Sequence, residues 1–330
     1  MSSRINTASF DDDRVVAIEV TPMWAGDLHV ADVDAALTAA GVPEGLLPKS
    51  PSRAAAMRRA FEECAPRGAK LDMLPKGLGV CLSLKDVSKL DLEALSLQTG
   101  HTVREAASYH STLTAKIAVQ SVNGTEIETL SFSPEDHPMV PLVREVYYAK
   151  KEYYKASEDL SVWFSQTIIP SVGGVGKRAR GGVYYVPSAK RDLLLAVAKG
   201  LENVSRSHQV DRVVAGKTFP VYLLDHGGKL CLEPRTGDDS AAMEIMVDGV
   251  IRDADAALDE IQVALDPSKG LGKRGLATKK ADCARLEAEI ATWEQVASMG
   301  LDLLRNRIEE LRSAIGVAEL AIEVAEAAEK

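Results

Sequence analysis

Gly173, Gly174, Val175, Gly176 and Lys177 are the residue types of a phosphate cradle, in which backbone amides and a lysine hold a nucleotide. The fuller pattern is not met, because Ser171 stands where its first glycine belongs and Arg178 where a Ser or Thr would bind Mg²⁺. The setting differs too: this loop is expected to follow a helix and lead into a strand, the reverse of a P-loop. What it keeps is charge. Between Asp159 and Asp192 there is no acid, while Lys177, Arg178, Arg180, Lys190 and Arg191 are all cationic. A glycine loop over 173–182 that carries Arg and Lys suits a phosphate or an acidic partner, with solvated loop charge as the simpler alternative. Tyr184 and Tyr185 follow on a strand, so only one of them can face a ligand and the other belongs to the core.

A second acid-free stretch, 267–281, holds Lys269, Lys273, Arg274, Lys279 and Lys280. As a basic tip between helices it could touch nucleic acid or an anionic surface, or simply be a soluble turn; the dipole at the start of the following helix does not favour cations there. Other chemistry is sparse. The six histidines have no i, i+4 pair of the kind that binds zinc on a helix. His110-Ser111-Thr112 supplies one half of a paired H-x-T phosphoesterase signature, and the second half is missing. Glu135-Asp136-His137 could hold a cation, yet acids just before a helix are explained by capping and the helix dipole. Cys64, Cys81, Cys231 and Cys283 are far apart with no C-x-x-C pair, so they read as small apolar residues. No catalytic residue, metal site or cofactor is expected, and the balance leans away from an enzyme.

Composition sets the class. An apolar fraction of 46%, a charged fraction of 26% and a net charge of -9 describe an ordinary globular chain without a generally basic surface. No run of eighteen apolar residues spans a membrane, and Met1 to Arg14 lacks the apolar core of a secretory signal. A reduced cytoplasmic protein is the expectation.

The elements that must carry these residues form an α+β mixture. Strands are expected over Arg14–Val20 and Gly79–Leu84, and helices over Ala31–Ala40 and from Ser50 and Pro51 to Cys64. Alternation at Leu113, Ala115, Ile117 and Val119, then Asn123-Gly124, then Glu126–Phe132, predicts a β-hairpin. Asn123-Gly124-Thr125 also fits a glycosylation acceptor, but here it speaks only for the turn. From Pro138 to Ile169 the heptad step runs through Leu142, Val146, Ala149, Tyr153, Ala156, Leu160, Trp163 and Thr167, which predicts one helix of about thirty residues, near 45 Å. Beyond it come a strand at Gly182–Val186, a helix from Pro187-Ser188, and two strands around a turn at Asp225-His226-Gly227-Gly228. Hairpins without regular strand and helix alternation disfavour Rossmann and TIM-barrel architectures.

The body is expected over 10–239, with helices from 240 to 330. A seam on Met243, Val247, Val250, Ala254, Ala257, Ile261 and Ala264 is followed by Cys283, Leu286, Ile290, Trp293, Ala297, Gly300 and Leu304, then Ile308, Leu311, Ile315, Ala318, Ile322 and Ala325. Read as two arms they are unequal, about 25 and about 53 residues, or roughly 38 and 80 Å. The overhang can fold back at Gly300, pack on the helix near Pro138, or pair with another copy. A stutter between Leu304 and Ile308 unwinds the repeat without ending it. Both an intramolecular bundle and an oligomer interface satisfy this pattern. The leading functional expectation is a non-enzymatic interaction or scaffold protein that associates with itself or a protein partner through Leu286, Ile290, Trp293, Leu304, Ile308, Leu311, Ile315 and Ile322. The alternative is nucleic-acid binding through loop 173–182 and hinge 267–281, and the least favoured is an enzyme on phosphate esters.

Overall fold

In a computed structural model of the chain, the described residues are 10, 12–75, 79–83, 112–122, 125–178, 182–214, 217–266, 271–297 and 301–328. The order is β1 (Val15–Ala25), β2 (Asp27–His29), α1 (Val30–Ala39), α2 (Arg53–Cys64), β3 (Lys70–Met73), β4 (Gly79–Ser83), β5 (Thr112–Val122), β6 (Thr125–Ser133), α3 (Val140–Lys150) and β7 (Tyr153–Lys155). After a helical run over 156–171 follow β8 (Val175–Gly176), β9 (Tyr184–Pro187), α4 (Arg191–Val204), β10 (Arg206–Val214), β11 (Lys217–Thr236), α5 (Ser240–Ala264), α6 (Lys273–Ala297) and α7 (Asp302–Ala328). The fold is α+β with antiparallel sheets. The chain divides into two compact units: Met1–Gly26 with Val33–Pro48 and Ala156–Lys330, and Asp27–Asp32 with Lys49–Lys155.

The smaller unit is a four-stranded sheet in the order β3-β4-β5-β6, faced by α2 and α3, with a separate β2-β7 pair. Ser52 starts α2 by accepting the Ala55 N–H at 3.1 Å, satisfying one of the amides a helix leaves open. Met57 and Phe61 of α2 and Val143 and Tyr147 of α3 bury against Leu82 and Leu113. The β5-β6 hairpin closes with Val122 opposite Thr125, a register that needs a two-residue connection; Asn123 and Gly124 themselves lie outside the described residues, as does His110-Ser111.

One expectation fails in this unit. The helix predicted from Pro138 to Ile169 ends at Lys150, and Tyr153, Tyr154 and Lys155 form β7 against His29, Leu28 and Asp27. No breaker stands there. Tyr154 is fully buried by the pairing and Tyr153 meets the His29 ring edge-on at 5.1 Å, so tertiary pairing of aromatic residues overrides a helical period that persists in the sequence.

The larger unit carries a five-stranded sheet, β10-β11-β1-β9-β8. A second departure from expectation is β11, one strand of 20 residues where the sequence predicts two strands and a turn. The first half pairs with β10 and the second with β1. Gly227 and Gly228 serve close approach instead of chain reversal: a Cβ on Gly228 would sit 2.5 Å from the Trp24 ring, and one on Gly227, at φ +113°, 2.2 Å from the Ser205 hydroxyl.

The final ninety residues form three helices of 25, 25 and 27 residues, each about 40 Å long. Three ion pairs set α6 antiparallel to α7: Glu294 to Arg305, Glu287 to Arg312 at 2.7 Å and Lys280 to Glu319 at 3.2 Å, each step seven residues down one helix and seven along the other. Arg307 of α7 reaches Asp255 at 2.8 Å and also Asp259 on α5. The single long arm is therefore two helices, and its overhang is covered by the chain reversing between Ala297 and Asp302; Gly300 lies outside the described residues. Asp239 caps α5 by accepting the Ala242 N–H at 3.1 Å, as an aspartate before a helix should.

Candidate functional site

The glycine loop lies in the larger unit between the sheet and α5. Its glycines have local duties. Gly173 holds φ +62°, and a Cβ on Gly174 would come within 3.1 Å of Ile169 and 3.2 Å of Val186. On the facing helix Gly249 lets the Gly176 carbonyl approach to 3.2 Å of where a Cβ would be. A phosphate cradle needs open amides, and here they are taken. Gly173 and Gly174 donate to Pro170 and Ile169 at 3.1 and 2.8 Å, Lys177 to Val183 at 2.8 Å, and Gly176 to the Asp253 carboxylate at 3.3 Å.

Lys177 is likewise committed. Its Nζ sits 3.0 Å from Oε1 of Glu19, a buried β1 carboxylate opposite Tyr185 and Glu233, and 5.6 Å from the centre of the Tyr185 ring. Arg235 takes the other Glu19 oxygen at 2.6 Å and continues to Glu233 at 2.9 Å and Asp239 at 3.7 Å. Burial pushes the Glu19 carboxyl up, but the hydrogen bonds and charges of Lys177 and Arg235 outweigh that and hold it below the usual carboxylate range. Hydrogen bonding to Glu19 raises the Lys177 ammonium in return. A charge buried with two cations is an anchor. Lys177 ties the loop to the sheet, and Arg235 ties the sheet to the cap of α5.

Between the loop and the helices is a cavity of about 290 Å³. Its floor is apolar, built from Val250 and Ala254 of α5 and Leu286, Ile290 and Trp293 of α6. The Trp293 indole is fixed by donating Nε1–H to the Gly173 carbonyl at 2.9 Å. Its polar rim is Arg178, Asp253, Arg285, Glu289 and Ser165, with Tyr184 on the sheet side. Tyr185 is buried, and Tyr184 is the member of the pair that meets the cavity. Ser165, Ile169 and Pro170 come from the run 156–171, which alternates π- and α-turns, a feature common beside binding sites.

The remaining sequence candidates are dispersed. Lys190 is exposed, and Arg191 donates to the Phe10 carbonyl at 2.5 Å. Lys273 and Arg274 open α6, eleven or more residues and so about 16 Å along that helix from Arg285. Arg180 lies outside the described residues. Among the described members of the basic set, only Arg178 lines the cavity. The wall that sequence reasoning missed is α5 and α6, whose seam residues face the cavity as well as each other; the small residues Gly249, Ala254 and Ala257 were the available signal.

The association seam closes within one chain. Leu286, Ile290, Trp293, Leu304, Ile308, Leu311 and Ile315 are buried together with Met246, Val250, Leu258 and Ile261, and Ile322 is half-buried near the end of α7. Among the described residues no group of three or more His, Cys, Asp or Glu side chains could hold a metal ion, and no helix is long and apolar enough to cross a membrane.

Residues 26–329 match the model of a family of unknown function (DUF6744). The chain belongs to this family. The match runs from β2 to the end of α7, so it covers the cavity and the three-helix bundle, and Lys177 and Arg235 of the Glu19 cluster, while Glu19 itself precedes it. No curated protein and no solved structure matches the chain.

Proposed function

We propose that the protein is a cytoplasmic, non-enzymatic interaction protein that associates with a second copy or another protein through its C-terminal helices, using the outer face of α7 in place of the buried seam. The observation that carries this reading is Leu303, Val317 and Leu320, which are 86%, 69% and 63% exposed. Counted from Ile308 and Ile315 they fall on the outward heptad positions, and in the sequence Val324 continues the step of three and four from Val317 and Leu320. A helix that is apolar on its outer as well as its inner face is built to be covered on both. Glu309 and Glu310 belong to the same helix, so its middle is polar and the apolar outer positions are at its two ends.

Light scattering of the full chain, alone and with Val317→Glu and Leu320→Glu combined, tests it. Mass above one chain, or a captured protein partner, that is lost in the double variant is the expected result. A strictly monomeric wild type with no partner that the double variant loses overturns it. The nucleic-acid reading draws on Arg178, Lys190 and Arg274, all exposed, but Lys177 and Arg191 have internal partners. It requires binding at low salt that weakens steeply as salt rises and falls in the Arg178, Lys190 and Arg274 triple alanine variant.

A further inference from the structure

We propose that the cavity between the glycine loop and helices α5 and α6 is a binding site for a small organic anion with a flat apolar body. The ligand's charge follows from how the rim is committed. Glu289 pairs with Arg285 at 2.8 Å, and Asp253 takes both Arg252 at 2.9 Å and the Gly176 amide. Among the described residues no carboxylate pairs with Arg178, which lines the cavity and is exposed. The charge left over is positive, and a planar guanidinium suits a carboxylate or a phosphate.

The body of the ligand follows from the floor. Val250, Ala254, Leu286 and Ile290 offer no polar side-chain atom, and two aromatic rings border the space. Trp293 is locked by its bond to Gly173, and Tyr184 is held edge-on by Phe164 at 5.9 Å. A volume of about 290 Å³ lies just below the usual range of ligand pockets, roughly 300–1,000 Å³, so one ring system with a short acidic arm fits and a larger cofactor does not. Loop rigidity supports preorganisation, since Lys177 fastens the loop to Glu19 and Arg252 Nη2 donates to the Gly176 carbonyl at 2.6 Å. Neither anchor is on an open amide, so the anion would be held by the side chain of Arg178 and not by a backbone nest.

Calorimetric titration of the full chain tests this with indole-3-acetate and 1-naphthyl phosphate as the carboxylate and phosphate arms, each beside its neutral counterpart, indole-3-acetamide or 1-naphthol. The expected result is that at least one anion binds, that its neutral counterpart binds about tenfold or more weakly, and that Arg178→Gln removes this difference. Ala257→Phe, from α5, should abolish binding; Ser165→Phe, from the run 156–171, does the same job if the first variant fails to fold by circular dichroism. Absence of binding by both anions at millimolar concentration overturns the proposal. So does equal binding of the neutral compounds, or an affinity unchanged in Arg178→Gln and in a folded blocking variant. Association through α7 is read by light scattering and is independent of these outcomes.

Discussion

Ile308→Ala is the sharpest test that the C-terminal seam closes inside one chain. Ile308 is 1% exposed and belongs to the cluster that holds Leu258 of α5 and Leu286 and Ile290 of α6. The substitution removes three carbons at about 0.8 kcal/mol each, and the cavity left among three rigid helices adds to that, for a loss of about 3–4 kcal/mol. In a unit of roughly 200 residues each kcal/mol moves the midpoint by about 2–4 °C, so a fall of about 6–16 °C is expected. Urea and thermal unfolding followed by circular dichroism should be run at two protein concentrations about a hundredfold apart. If the seam is intramolecular, the wild-type to variant difference is the same at both, because no association step enters it. Substitutions at Val317 and Leu320 should do the opposite, altering concentration dependence with little change, within about 0.5 kcal/mol, in unfolding of the monomer. A loss below about 1 kcal/mol for Ile308→Ala, or one that appears only at low concentration, refutes the bundle described here.

Glu19→Gln should destabilise the larger unit by about 1–3 kcal/mol in urea unfolding at neutral pH, because it leaves Lys177 and Arg235 part-buried beside a neutral amide; the same variant should expose loop 173–182 to limited proteolysis. Glu294, held at about 2 by the Arg305 guanidinium and the Leu301 N–H, has a folded pKa below its unfolded value near 4.5. Its contribution is therefore present above about 4.5 and lost as the pH falls from there towards about 2, so the stability gap between wild type and Glu294→Gln should close across that window and be constant from pH 6 to 8.

Much of the fold follows from local pattern. The alternation from Leu113 to Phe132 and the heptad steps after Ser240 identify a hairpin and amphipathic helices without reference to anything else in the chain. Asp239 before α5 and Ser52 before α2 are capping residues by type and place. Patterns that serve two structures equally well mislead. Tyr153 and Ala156 keep a helical step, yet Tyr153 and Tyr154 pair as a strand because β2 offers an edge and a place to bury the Tyr154 ring. Gly227-Gly228 reads as a turn and is a straight passage, since Trp24 and Ser205 come from segments far away in sequence.

The basic loop shows the same division at the level of the site. Composition puts Lys177, Arg178, Lys190 and Arg191 in one acid-free stretch, and nothing in that stretch says that Lys177 will meet Glu19, 158 residues earlier, or that Arg191 will meet the Phe10 carbonyl. The sequence by itself determined the α+β class, the helical end and the positions of its seams, because helical and strand periods are short-range properties of the chain. Only the tertiary structure decided that the seam turns inward, that Arg178 alone among the described members of the basic set lines the cavity, and that apolar residues at both ends of the outer face of α7 stay exposed. Those outcomes depend on which distant charges and surfaces meet, and burial against a partner from another part of the chain is what selects among patterns that local spacing leaves equal.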